Sequence, residues 1–392
     1  MKKINKYLGF LTIIIGLGLS SCQESEAPKI QDLPADNSAE QSTINLYHKL
    51  KRLAPNYTLF GHQDNLAYGI GWAYEEGKSD VKEVVGDYPA LYGWDAGGIG
   101  GEKNLDGVPF KEMQRWMKEV HQRGGVNTLS WHVYSPVDSL SSWETDKMVV
   151  SHILPGGKNH EGYLTRLDDL ASFFKGLKLE NGEHVPVIFR PFHENNGNWF
   201  WWGEKHCSTE GYKMIFRFTV DYFRSKGVHN LLYAYSPDRI FETKDKYLER
   251  YPGDDYVDIL GLDDYWDFKE QGGGINEVIK KLEIISVIAQ EKGKLCAFTE
   301  TGLELVSDNK WFTEKLYKII NTNNLTKNIA YVMVWRNGRP DHYYVPYKGH
   351  EAEADFKAFY DKGDILFETD LKTISENGIV LKALQTASVT KN

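Results

Sequence analysis

Eight short runs rich in Val, Ile, Leu, Phe and Tyr recur along the chain, at 57–62, 90–95, 126–132, 187–194, 231–236, 259–265, 295–300 and 330–336. Most are separated by stretches with helical periodicity, at 110–122, 163–177, 211–226, 276–292 and 311–322. Continuous apolar runs of this length suit strands covered on both faces, and strand alternating with helix implies a parallel sheet. Repeated eight times, the pattern predicts an α/β fold, a (β/α)8 TIM barrel in a single domain. A doubly wound open sheet is the rival, but no Gly-rich dinucleotide fingerprint follows the first run.

The runs end alike. His62, Asp95, His132, Glu194, Asp263 with Tyr265, Glu300, and Trp335 with Arg336 stand at or near their carboxyl ends. In a barrel those ends share one face, where the loops after the strands build the active site. Residues scattered over most of the sequence would therefore line one cleft.

Composition narrows what enters it. The 392 residues carry a net charge of -9 and no basic tract, which excludes the electrostatic footprint of a nucleic-acid binder. Many of the 11 Trp and 23 Tyr lie in polar, Gly-rich segments where a core does not need them. Such rings stack on sugar faces, so an uncharged saccharide fits better.

The amino terminus reads as a targeting signal: Lys2 and Lys3, an apolar run at 7–19, then Leu19-Ser20-Ser21-Cys22. The run is short of the ~20 residues a spanning helix requires. Residues 1–21 are expected to be a lipoprotein signal peptide, with Cys22 as the lipidated anchor. Residues 22–42 are expected to form an acidic tether and 43–385 the catalytic barrel. Glu24 and Glu26 beside Cys22 point to an outer-membrane lipoprotein of a Gram-negative bacterium, a monomer held at the cell surface or the periplasmic face. Of the two remaining thiols, Cys296 lies within the apolar Leu295-Cys296-Ala297-Phe298, which favours buried free thiols over a Cys207–Cys296 bond.

The segment 189–203, Phe-Arg-Pro-Phe-His-Glu-Asn-Asn-Gly-Asn-Trp-Phe-Trp-Trp-Gly, sets four successive aromatics just beyond an acid. Asn195, Asn196 and Asn198 are poor core residues, so part of the aromatic run should face a ligand. A Trp-walled apolar pocket raises a carboxyl pKa and keeps it protonated, as a general acid must be, which fits Glu194. Phe298-Thr299-Glu300-Thr301-Gly302 supplies a second carboxylate from another strand end. Held close together, such a pair cleaves a glycosidic bond with retention through a covalent intermediate. No His-Glu-x-x-His, clustered Cys/His spacing or Gly-x-Ser-x-Gly occurs among the 12 His and the serines, so neither a catalytic metal nor a cofactor is expected.

Arg-Pro-Phe-His-Glu followed by Asn-Gly-Asn-Trp-Phe-Trp-Trp-Gly, then Thr-Glu-Thr-Gly and Trp-Arg-Asn, resembles glycoside hydrolase family 26 in strand order over about residues 43–370. The resemblance implies catalytic glutamates after strands four and seven, with Glu194 as acid/base and Glu300 as nucleophile. It further implies that His132 and His193 hold the sugar beside the scissile bond and that Tyr265, with Asp263 near it, hydrogen-bonds the nucleophile. Trp335 would floor the subsite of the cleaved sugar, Arg336 would reach the next sugar outward, and Trp199 would stack nearby. The implied substrate is β-1,4-mannan, galactomannan or glucomannan. Mixed-linkage glucan, β-1,3-xylan, or glycan binding without catalysis remain alternatives; binding alone needs neither glutamate.

Overall fold

A computed structural model describes residues 33–373, so the expected signal peptide, Cys22, the expected tether up to residue 32 and the expected end of the barrel domain at 374–385 lie outside the described residues. Eight parallel strands form the sheet: β1 Thr58–Gln63, β2 Leu91–Asp95, β3 Val126–Trp131, β4 Val187–Pro191, β5 Leu231–Tyr235, β6 Ile259–Asp264, β7 Leu295–Thr301 and β8 Ile329–Val334. Each pairs with its sequence neighbours, and β8 returns to β1, with Leu59 opposite Tyr331 and His62 opposite Val334. The barrel is closed, as the eight runs predict. A two-residue β9, Ile365–Leu366, adds beside the start of β1.

Every residue of the eight strands is buried, which explains their near-continuous apolar sequence. Inside the ring, Leu59, Leu91, Ile188, Leu232, Ile259, Ala297 and Met333 form one core. Outside it, a second core joins the strands to the surrounding helices. Helix Phe110–Gln122 has the predicted bounds, and His160–Gly176, Thr209–Ser225 and Ile275–Lys292 differ by one to three residues. The expected helix at 311–322 is a π-helix, Trp311–Leu316, running into the α-helix Tyr317–Ile320.

The expected tether differs at its end. Ala35 and Asp36 are buried; the Ala35 amide donates to Asp258 at 2.6 Å and Asp36 meets His229 at 2.8 Å. Helix Gln41–Leu53 follows, and its Leu46, Tyr47, Leu50 and Leu53 belong to the inner core with Leu59 and Leu232. This amphipathic face plugs the amino-terminal mouth of the barrel, leaving the carboxyl-end mouth for a site. Cys207 and Cys296 are both buried and free.

Candidate active site

Strand β4 stops at Pro191, three residues before the predicted end, because Phe192 and Glu194 both adopt φ 52°. Neither is glycine, and a left-handed conformation costs such residues about 1–3 kcal/mol unless their surroundings impose it. The imposing contacts are visible. Tyr212 donates to the Phe192 carbonyl at 3.1 Å, Trp202 to the His193 carbonyl at 2.8 Å, and the Glu194 amide to Ser236 O at 2.8 Å. Asn196 then clasps the loop after β5 from both sides. Its Nδ2 donates to the carbonyls of Asp238 and Ile240 at 2.8 and 3.1 Å, and its Oδ1 accepts the Asp238 amide at 2.8 Å. His193 and Glu194 thus lie on a tight turn beyond the strand, not within the run expected to extend to 194.

Of the four aromatics after Glu194, Phe200, Trp201 and Trp202 are buried and support this turn. Trp199 alone of them is exposed, and its indole N–H donates to Glu194 Oε2. Burial, with Glu300, Asp263 and Asp238 close by, pushes the Glu194 carboxyl well above its ordinary pKa. That is the protonation state a general acid requires.

Glu300 is presented from β7 opposite Asp263 of β6, where a register shift after Leu262 re-aims both side chains. Tyr265 donates its hydroxyl to Glu300 Oε1 at 2.9 Å, and Arg190 of β4 donates to Oε2. The same guanidinium reaches Asp263 Oδ2 at 2.7 Å and Ser236 Oγ at 3.1 Å, while Thr299 donates to Asp263 Oδ1 at 2.7 Å. Arg190 is buried, as an arginine in the barrel interior can be only when fully paired. Sequence reasoning did not assign it; the signal was an arginine inside an otherwise apolar strand.

His132 lies beside this pair. Its Nδ1 sits 2.6 Å from Asp95 Oδ2, and its ring meets that of His193 edge-on at 4.5 Å. Burial opposes charge on His132, but Asp95 outweighs it and the pKa is raised. Burial, Arg190 and His132 together drive the His193 pKa well down, so His193 is neutral. Trp143, also unassigned from sequence, stacks on His132 at 4.9 Å with its rings nearly parallel and is 46% exposed. An exposed Trp already ordered against a site histidine is a ready platform for a sugar.

At the far side, Trp335 meets His132 at 6.2 Å. Arg336 pairs with Asp106 at 2.8 Å and donates to the Tyr68 hydroxyl at 3.3 Å, and Tyr68 in turn donates to Asp64. Loops after β1, β2 and β8 are therefore tied together around one guanidinium. His62 hydrogen-bonds Asn65 at 3.0 Å within this scaffold. The loop at 339–349 flanks the site, with Tyr344 edge-on to Tyr265 at 5.6 Å. Glu194, Glu300, His132, His193, Trp199, Asp263, Tyr265, Trp335 and Arg336 thus gather at one mouth. Among the described residues, no three His, Cys, Asp or Glu side chains are grouped to hold a metal.

Known proteins resemble this chain in sequence and fold. A mannan endo-1,4-β-mannosidase of Bifidobacterium adolescentis is 37% identical over 355 residues, covering 83% of this chain but 34% of that protein. The chain thus spans about a third of that relative's length. The structure of a GH26 β-mannanase from Bacteroides ovatus superposes with a TM-score of 0.81 at 42% identity, covering 86% of this chain and 98% of that one. An endo-β-1,4-mannanase from Cellulomonas fimi gives 0.80 at 35% identity, covering 86% and 78%. The family described as Glycosyl hydrolase family 26 matches residues 35–328, a span that runs from the docked amino-terminal segment through all but the last barrel strand and holds both glutamates, and the chain belongs to that family.

Proposed function

We propose that the chain is a retaining β-mannanase that hydrolyses β-1,4-mannosidic bonds. The observation that carries this is the contrast between its two acids: Glu194 is half-buried and biased toward protonation, whereas both oxygens of Glu300 are addressed by donors, Arg190 and Tyr265. In the first step a Glu300 oxygen attacks the anomeric carbon, the glycosidic C–O bond breaks, and the Glu194 proton passes to the departing oxygen. In the second, Glu194 takes a proton from water, whose oxygen displaces Glu300 and restores the original anomer. His132 and His193 orient the sugar, Trp335 and Trp199 stack on it, and Arg336 reaches its neighbour. Mannan as the substrate is supported by the relatives, a mannan endo-1,4-β-mannosidase and a GH26 β-mannanase.

Linear mannan treated with the protein should release reducing ends whose first-formed anomer, followed by proton NMR, is β. An α product would overturn double displacement. Release from mixed-linkage glucan or β-1,3-xylan without release from mannan would overturn the substrate.

The lipid anchor belongs to the same proposal, supported by the signal that ends in Leu19-Ser20-Ser21-Cys22. Cys22→Ala should move the protein from the membrane fraction to the soluble one and abolish labelling by a radioactive fatty acid. An unchanged distribution with unchanged labelling would refute it.

A further inference from the structure

The barrel order sets the groups that the mannanase reading assigns to the main chain around this mouth. Arg336 after β8, with Tyr68 after β1 and Asp106 after β2, marks one end, and Trp199 after β4 marks the opposite one. His132 and Trp143, after β3, occupy one flank. On the other flank, between the loops after β6 and β7, opens a recess of about 450 Å³. Its volume falls in the ~300–1,000 Å³ range of small-molecule sites.

The recess adjoins the chemistry. Tyr265 and Tyr344 form its inner wall, and the Tyr265 hydroxyl is the one bonded to Glu300. Gly302, two residues beyond Glu300, lets that wall form: a Cβ there would lie 2.4 Å from the Tyr344 ring. The rim carries Lys269, Gln271, Glu304 and Asp308, and Glu304 is fixed by His342 at 2.6 Å. Aromatic faces below and hydrogen-bonding groups above suit a polyhydroxylated ring. With Glu270, three carboxylates face one ammonium, which disfavours an anionic substituent.

We propose that this recess seats a single uncharged hexosyl branch borne by the main-chain sugar whose anomeric carbon faces Glu300. The inference rests on the mannanase reading and gives it a substrate class: branched mannans are accepted with the branch at the cleaved sugar.

The test uses the full-length protein with Ser307→Trp and Gln271→Trp, two exposed positions that would fill the recess from its β7 and β6 sides. Linear mannan and galactomannan serve as substrates, and products are sequenced by mass spectrometry. The wild type should give oligosaccharides whose new reducing-end mannose carries galactose. In both variants those products should vanish and kcat/KM on galactomannan should fall at least about tenfold, while linear mannan changes by less than about twofold. Wild-type products never branched at the reducing end, equal losses on both substrates, or unchanged galactomannan cleavage would overturn the branch site alone. No cleavage of linear mannan by the wild type would instead overturn the mannanase reading, and the branch site with it.

Discussion

The Tyr265 hydroxyl donates to Oε1 of Glu300 at 2.9 Å while Arg190 holds the other oxygen, so the proposed nucleophile is aimed from two strands at once. Tyr265→Phe removes one of those donors and leaves the ring edge-on to Tyr344. A catalytic donor of this kind is worth roughly 10²-fold in rate, so kcat on manno-oligosaccharides should fall by about that factor with KM little changed. Steady-state kinetics with unaltered kcat would show that Arg190 alone positions the nucleophile.

Glu194 makes the stability of the protein depend on pH. Its carboxyl titrates well above its ordinary range in the folded state, chiefly through burial and then through Glu300 and Asp263. Unfolded, it releases its proton near pH ~4.3. Between that value and the folded pKa the native state binds the extra proton, so this group's contribution to stability declines as pH rises through the window. Glu194→Gln removes the term. The inactive variant should melt above the wild type at pH 7, with the gap narrowing toward pH 4 in calorimetric scans; an equal gap at both pH values would contradict the assignment.

The indole of Trp199 opposes that upward shift by donating to Glu194. In Trp199→Phe the stacking ring is largely kept but the donor is gone. The alkaline limb of the kcat/KM profile, which follows deprotonation of the acid, should then move to higher pH. A limb that stays in place would mean another group sets it.

Asn196 touches no reacting atom, yet its amide fastens the Glu194 turn to the loop after β5 through three hydrogen bonds. Asn196→Ala frees the left-handed backbone at Glu194 to relax, moving the acid away from the leaving oxygen. Loss of kcat should therefore be severe for mannan, on the order of 10²-fold, and slight for an aryl mannoside whose leaving group needs no proton. Equal losses on the two substrates would point to general loosening of the site.

The barrel was legible because burial on both faces writes itself as an apolar run, and because strand ends converge on a single mouth. The turn at Phe192 and Glu194 was not, since positive φ at residues other than glycine leaves no mark in sequence and exists only through partners as remote as Tyr212 and Ser236. Arg190 and Asp263 show the same limit: their pairing depends on β4, β6 and β7 meeting inside one ring. Trp143 was hidden for another reason. It sits far along a polar loop, and only the fold brings it onto His132.

Helix Gln41–Leu53 precedes the first strand and has the apolar stripe of any surface helix, yet Leu50 is fully buried in the inner core. If the helix is an integral plug, Leu50→Ala opens a cavity against Leu59 and Leu232 and should destabilise the fold by ~2–5 kcal/mol. The mouth that holds Glu194 and Glu300 is at the opposite end of the ring, so KM and kcat at low temperature should stay at wild-type values. Denaturant unfolding monitored by tryptophan fluorescence, alongside activity, separates the two effects: a variant of undiminished stability would mean the helix only rests against the barrel, and lost activity in the folded variant would mean the ring transmits the defect to the site.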